Sequence, residues 1–212
     1  MPRVKHSKKG LIEIRRMARK LDPEPGHVFQ VCKNALALFD ATRRIHKLGA
    51  PDRRLLEAAA LLHDIGHTID VVAHHKHSRD IIMDMRLPGL SARRKRIVAC
   101  VARYHRKAHP AGTHAVFCDL DKPDRRRVQK LAAILRIADG LDRSHVASCK
   151  RIAVEAAKDS VTINIEQRRP TPTDIWGAQR KQSLFEEVFK VRVIIQAIPD
   201  KRQSVPKTKA SA

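Results

Sequence analysis

The sequence predicts a mainly helical protein with a small α+β appendage at its C-terminal end, and three observations lead there. Ala, Leu, Ile and Val recur at three- and four-residue spacing from about residue 11 to residue 145, the period of stacked amphipathic helices. Aromatic residues make up only 3% of the chain, which weakens the case for sheets in that stretch. After Ser148 the apolar residues begin to alternate instead, the period of half-buried strands.

Taken in order, helices are expected near residues 11–20, 27–47, 52–65, 75–85, 91–107 and 123–142. Each break combines Pro with Gly: Asp22-Pro23-Glu24-Pro25-Gly26, Gly49-Ala50-Pro51-Asp52, Leu87-Pro88-Gly89-Leu90 and His109-Pro110-Ala111-Gly112. Proline removes a backbone donor and glycine frees φ, so a helix stops there. Asp52 and Ser91 stand where N-caps belong. Ile152 and Val154, then Val161, Ile163 and Ile165, alternate across Lys158-Asp159-Ser160 as a hairpin would. A helix over 174–189, with Trp176 as a packing anchor, leads into residues 191–198, an apolar run fit for a third strand. The expected organisation is a basic tail over 1–10, a helical body over 11–148, an α+β extension over 149–199 and a disordered basic tail over 200–212.

Charge narrows the choice of partner. Lys and Arg total 44 against 22 Asp and Glu, a formal net charge of +22, so a polyanion such as nucleic acid, polyphosphate or a phosphorylated small molecule is the natural ligand class. Residues 86–118 contain no acidic side chain, while Arg86, Arg93, Arg94, Lys95, Arg96, Arg103, Arg106 and Lys107 supply cations there. They suit either a phosphate-binding face or a solvated helix surface. The 4 cysteines form no CxxC pair, and the apolar runs are far short of a membrane span, which excludes disulfide scaffolds and transmembrane helices. No apolar segment follows the basic N-terminus, so a reduced, cytoplasmic setting is expected. The oligomeric state is left open, a dimer included.

Chemistry is indicated by metal-binding side chains on the apolar faces of different helices, where Leu or Val would normally stand; burial demands a partner for each. His63 and Asp64 end the apolar run 55–62 and lie about 100° apart around the helix. Asp139 shares a stripe with Leu131 and Leu135, and His27 precedes Val31 by one turn. His77 shares a face with Ile81 and Met85, and His105 with Val101 and Ile97. His74 and His75 read as solvent-facing. Imidazole and carboxylate without thiolate suit one or two divalent ions, among Mn, Fe, Co, Mg and Zn. Asp139 has a bland alternative, an intrahelical pair with Arg143.

The order His27, His63-Asp64, Asp139 resembles the H…HD…D signature of the HD superfamily of metal-dependent phosphohydrolases, with His77 and His105 like the extra histidines of its two-metal branches. More narrowly, Leu61-Leu62-His63-Asp64-Ile65-Gly66, His74-His75-Lys76-His77-Ser78, Tyr104-His105-Arg106-Lys107 and Leu131 to Arg143 resemble the C-terminal HD-type region of the exopolyphosphatase/guanosine pentaphosphatase (Ppx/GppA) family. The resemblance implies an HD-type helical bundle that hydrolyses a phosphate ester, nucleotide or polyphosphate through metal-activated water. It assigns His27, His63, Asp64 and Asp139 to a first ion, with Asp64 bridging to a second ion held by His77 and His105. His67 resembles a catalytic histidine beside Asp64, expected to protonate the leaving group or to contact phosphate, and Arg103, Arg106, Lys107 and Arg143 are the phosphate contacts expected. The family carries its phosphatase activity in an N-terminal actin-like domain for which this sequence shows no Gly-rich phosphate loops. The competing expectation is therefore a catalytically inactive module that binds polyphosphate, nucleotide or RNA.

Overall fold

The computed structural model describes residues 8–199. The expected disordered tail at 200–212, and most of the N-terminal one, lie outside them. The order is α1 (Lys8–Leu21), α2 (Pro25–Ala41), α3 (Arg43–His46), α4 (Ala50–Leu62), a 3₁₀ turn (Ile65–Thr68), α5 (His74–Asp84), α6 (Ala92–Arg103), α7 (Ala115–Cys118) and α8 (Lys122–Gly140). Then follow β1 (Cys149–Ala156), β2 (Ser160–Gln167), α9 (Pro172–Gln179), α10 (Ser183–Phe189) and β3 (Arg192–Ile198). The protein is mainly helical with a small C-terminal sheet, as its periodicity predicts.

Helix α8 is the axis of the body. Every residue from Leu131 to Asp139 is buried, as befits a helix surrounded on all sides, and it packs against α2, α4 and α6 as well as α9 and α10. The run Ala58, Ala59 and Ala60, fully buried, lets α4 approach its neighbours closely. Ser91 caps α6 by accepting from the Arg94 N–H. Asp52 is not the N-cap: α4 starts at Ala50, and the Asp52 carboxylate reaches back to accept from the Gly49 N–H at 3.0 Å. That still satisfies an otherwise orphaned donor. Helix α1 begins at Lys8, inside the stretch read as a tail.

The sheet order is β1-β2-β3. β1 and β2 form the antiparallel hairpin, while β3 runs parallel to β2. A parallel return needs a crossover, and α9 and α10 provide it. The crossover is seated on the end of α8 through glycines: a Cβ on Gly140 would lie 2.6 Å from the backbone of Ala178, and one on Gly177 would lie 2.7 Å from the Gly140 carbonyl. Backbone therefore packs on backbone, and the residues flanking Gly177 are carried to the C-terminal end of α8. Among the described residues no helix is long and apolar enough to cross a membrane.

Candidate metal centre

Polar side chains from five segments converge at that end of α8. His27 stands in the first turn of α2, His63 and Asp64 directly follow α4, His74 opens α5, His105 follows α6, and Asp139 stands in the last turn of α8. All six are buried. Asp64 is central. Its Oδ2 lies 3.6 Å from His27 Nε2 and 3.5 Å from His63 Nε2, while its Oδ1 lies 3.3 Å from His74 Nε2 and 3.4 Å from His105 Nε2. Asp139 Oδ1 is 3.5 Å from His27 Nε2. One carboxylate thus faces two sets of imidazoles.

The tautomers follow from the partners. His63 Nδ1 is 2.8 Å from the Ala60 carbonyl, His74 Nδ1 2.7 Å from that of Val71, and His105 Nδ1 2.7 Å from that of Ala102. A carbonyl only accepts, so each Nδ1 carries the proton and donates it. His27 Nδ1 likewise donates to Asp142 Oδ2 at 2.9 Å. In each ring Nε2 is left facing the centre, the arrangement that outer-sphere partners impose on ligating histidines. Burial and neighbouring cations push His105 well below its ordinary value, and burial pushes His74 down to about 4. The Nε2 atoms of His74 and His105 lie 3.2 Å apart, and the Arg106 guanidinium already faces this pair, with Nη1 3.2 Å from His74 Nε2.

His27 Nε2, His63 Nε2 and Asp64 Oδ1 are buried with no hydrogen-bond partner, which costs roughly 1–3 kcal/mol for each neutral group. The donor set fits a borderline divalent ion. Groups of ligand atoms close enough to hold one are His27 with His63 and Asp139, His63 with Asp64 and His105, and Asp64 with His67 and His74. Burial pushes Asp64 towards protonation, but His63 and His105 outweigh it and hold its carboxyl below the usual range. Burial acts on Asp139 in the same direction, and the Lys181 ammonium and His27 overcome it. Burial opposes charge on His27, yet Asp139 and Asp142 raise it to about 10.

His77 is not in the cluster. The inward stripe of α5 is His74, Ser78 and Ile82, all buried, whereas His77 and Ile81 are half-buried. The helix is rotated by about one residue from the face that pairs His77 with Met85. Gly66 explains the rotation: a Cβ there would meet the His74 carbonyl at 2.2 Å and the Ser78 nitrogen at 2.5 Å. Only glycine lets the first turn of α5 rest on the 3₁₀ turn, and the Gly66 N–H donates to Ser78 Oγ at 2.9 Å.

The cluster opens into a cleft of about 710 Å³. Arg106, Lys107 and Arg143 line it, joined by Arg136, Arg180 and Lys181, which sequence reading passed over. His67 lies in the cleft with its Nε2 buried and unpartnered, 3.9 Å from Asp64 Oδ2. Arg103 lines a neighbouring hollow instead, because α6 ends at Arg103 and only the following turn bends towards the centre. The run at 93–96 is structural in part: Arg93 bonds Asp121 at 2.9 Å and also Asp124, and Lys95 caps the Met83 and Met85 carbonyls. Arg143 does not pair with Asp139; Lys181 does. Trp176 is 53% exposed on the cleft wall with the Arg180 guanidinium 5.0 Å from its ring, so it anchors no core. His145 stacks on His27 with centroids 3.9 Å apart. Asp142 and His145 could be found only through contacts across the fold; spacing carries no signal for either.

The family model for Ppx/GppA phosphatase, domain III, matches residues 12–174. The chain belongs to the Ppx/GppA phosphatase domain III family. The matched span covers every residue of the centre just described, while Arg180 and Lys181 fall beyond it. A guanosine-5'-triphosphate,3'-diphosphate pyrophosphatase of Pseudoalteromonas translucida (strain TAC 125) is 40% identical over 52 residues, 24% of this chain. That stretch is 10% of the relative's own length, so the likeness to it is one of part of a domain.

Proposed function

We propose that this Ppx/GppA domain III chain is an HD-type, metal-dependent phosphohydrolase acting on a phosphate ester, nucleotide or polyphosphate. One observation carries the reading: four histidines spend Nδ1 on fixed acceptors and turn Nε2 towards the two oxygens of one buried carboxylate. His27, His63, Asp139 and Asp64 Oδ2 would hold one ion, and Asp64 Oδ1 with His74 and His105 a second. Such ions supply Lewis acidity to a phosphoryl oxygen and make water acidic enough to be a nucleophile near neutral pH.

The chain's own residues do the rest. Asp142 fixes the ring of His27. Arg106, Arg136, Arg143 and Arg180 surround the cleft with guanidiniums whose fork matches phosphoryl oxygens. His67, with an unpartnered nitrogen at the cleft, is placed to hand a proton to the leaving oxygen. The test is elemental analysis of freshly purified protein followed by Mn-supplemented hydrolysis of p-nitrophenyl phosphate and tripolyphosphate. Metal near one to two ions per chain, and turnover abolished in Asp64→Ala with helix content retained, are the expected results. Undiminished turnover in that variant rejects the mechanism.

A second reading has its own support, since the match is to a single domain of the family. On that reading the chain binds polyphosphate or a nucleotide without turning it over. Metal bound and polyanion affinity falling steeply with salt, with no hydrolysis of either substrate, would favour it.

A further inference from the structure

Next to the cleft lies a second hollow of about 410 Å³, and Val72 and Lys107 line both. Its other polar lining is His75, Lys76, Arg103, Tyr104 and His114, and no carboxylate is among them. Arg103 has a cation–π contact with the Tyr104 ring at 5.7 Å. Among the described residues no acidic side chain lies within ion-pair distance of Lys76, Arg103 or Lys107, although the same chain pairs Arg93 and Arg127 with aspartates nearby. Cations left unneutralised around one concavity are a site for an anion.

His75 adds an independent sign. It is 8% exposed, and its Nδ1 is buried without a hydrogen-bond partner. Its neighbour His74 spends Nδ1 on the Val71 carbonyl and turns Nε2 to the centre, whereas the ring of His75 turns to the other side of α5 and lines the hollow. A buried ring nitrogen without a partner is costly, and an anion's oxygen supplies one. Lys107, held at φ 56, stands between the two spaces.

We propose that this hollow is a second phosphoryl-anion subsite, formed by His75, Lys76, Arg103 and Lys107 and adjoining the cleft at Val72 and Lys107. The inference deepens the phosphohydrolase reading and rests on it for the class of anion. A phosphate ester with one phosphoryl group would use the cleft alone, while a ligand with several would reach the hollow as well.

The experiment titrates the whole 212-residue chain with inorganic phosphate by calorimetry and measures KM for p-nitrophenyl phosphate and tripolyphosphate. The variants are Arg103→Glu and Lys76→Glu, both outside the cleft, with folding checked by circular dichroism. Two phosphate sites per wild-type chain and one in each variant are expected. KM for tripolyphosphate should rise about tenfold, the weight of one lost charge-assisted contact, while KM for p-nitrophenyl phosphate changes less than about twofold. Loss of the phosphate site with tripolyphosphate unaffected would support the subsite and identify its anion as a free one. Variants that keep both the phosphate stoichiometry and the tripolyphosphate KM overturn it. Absence of turnover of both substrates in the wild type would reject the hydrolase reading alone, because the phosphate count still decides the hollow.

Discussion

The two halves of the centre are built differently. His27 and Asp139 sit inside α2 and α8, and His63 extends the phase of α4 with αR backbone angles. His67, His74 and His105 belong to a 3₁₀ turn, the first residue of α5 and the turn after α6. The inner half is fixed by the packing of long buried helices, and the outer half by short turns resting on one another through Gly66. The inner ligand set should therefore persist when the outer one is disturbed, and Asp64, which serves both, should be the residue whose loss is felt most.

That ranking gives the first prediction. Asp64→Ala should remove both ion positions and lower hydrolysis by at least roughly 10³-fold, since several kcal/mol of charge stabilisation vanish. Elemental analysis of the variant should find less than one ion per chain. His74→Ala should remove one ion, leave the other, and lower turnover by roughly 100-fold, whereas His77→Ala should change metal content not at all. Equal metal loss in the two variants would mean that α5 presents a different face in solution.

Asp142 sharpens the contrast from behind the inner half. Its Oδ2 holds His27 Nδ1, and its Oδ1 accepts from the Ala147 N–H at 2.8 Å. Asp142→Asn keeps the shape but loses the charge that fixes the His27 tautomer. Metal affinity should fall roughly 10- to 100-fold, read by competition with a chelating dye. An unchanged affinity would show that helix packing alone aims the ring.

The same contrast explains what was legible in the sequence. Apolar periodicity places His27, His63, Asp64 and Asp139 together because each remains in phase with Val31, the run Leu55–Leu62, or Leu131 and Leu135. It fails for His74, because the phase of α5 is set by Gly66 and the 3₁₀ turn rather than by its own weakly apolar pattern. His105 shares the phase of Val101 but lies past the end of α6, held by the Ala102 carbonyl. Charge counting found a basic stretch over 86–118, yet it could not separate Arg93 and Lys95, which secure helix ends, from Arg106 and Lys107, which reach the cleft. Arg136 is hidden inside the otherwise apolar run 131–138 of α8, where it donates to the Tyr104 carbonyl at 3.1 Å. Arg180 and Lys181 come from the crossover, and their position depends on the meeting of Gly140 and Gly177, which no local pattern announces.

Lys181 supplies the smallest effect and the only one of opposite sign. Its ammonium contacts Asp139 Oδ2, while His27 faces Oδ1, so a cation already leans on a carboxylate that the proposed inner ion would need. Two positive charges compete for one acceptor, and the one on a flexible, partly exposed stem should give way. Lys181→Ala should then tighten metal binding about fivefold, the equivalent of about 1 kcal/mol for a partly solvated pair. A chelator titration at fixed pH reads the change. The opposite result, weaker binding, would mean that Lys181 holds Asp139 in its ligating rotamer. The crossover would then be part of the inner half of the centre rather than a cover above it.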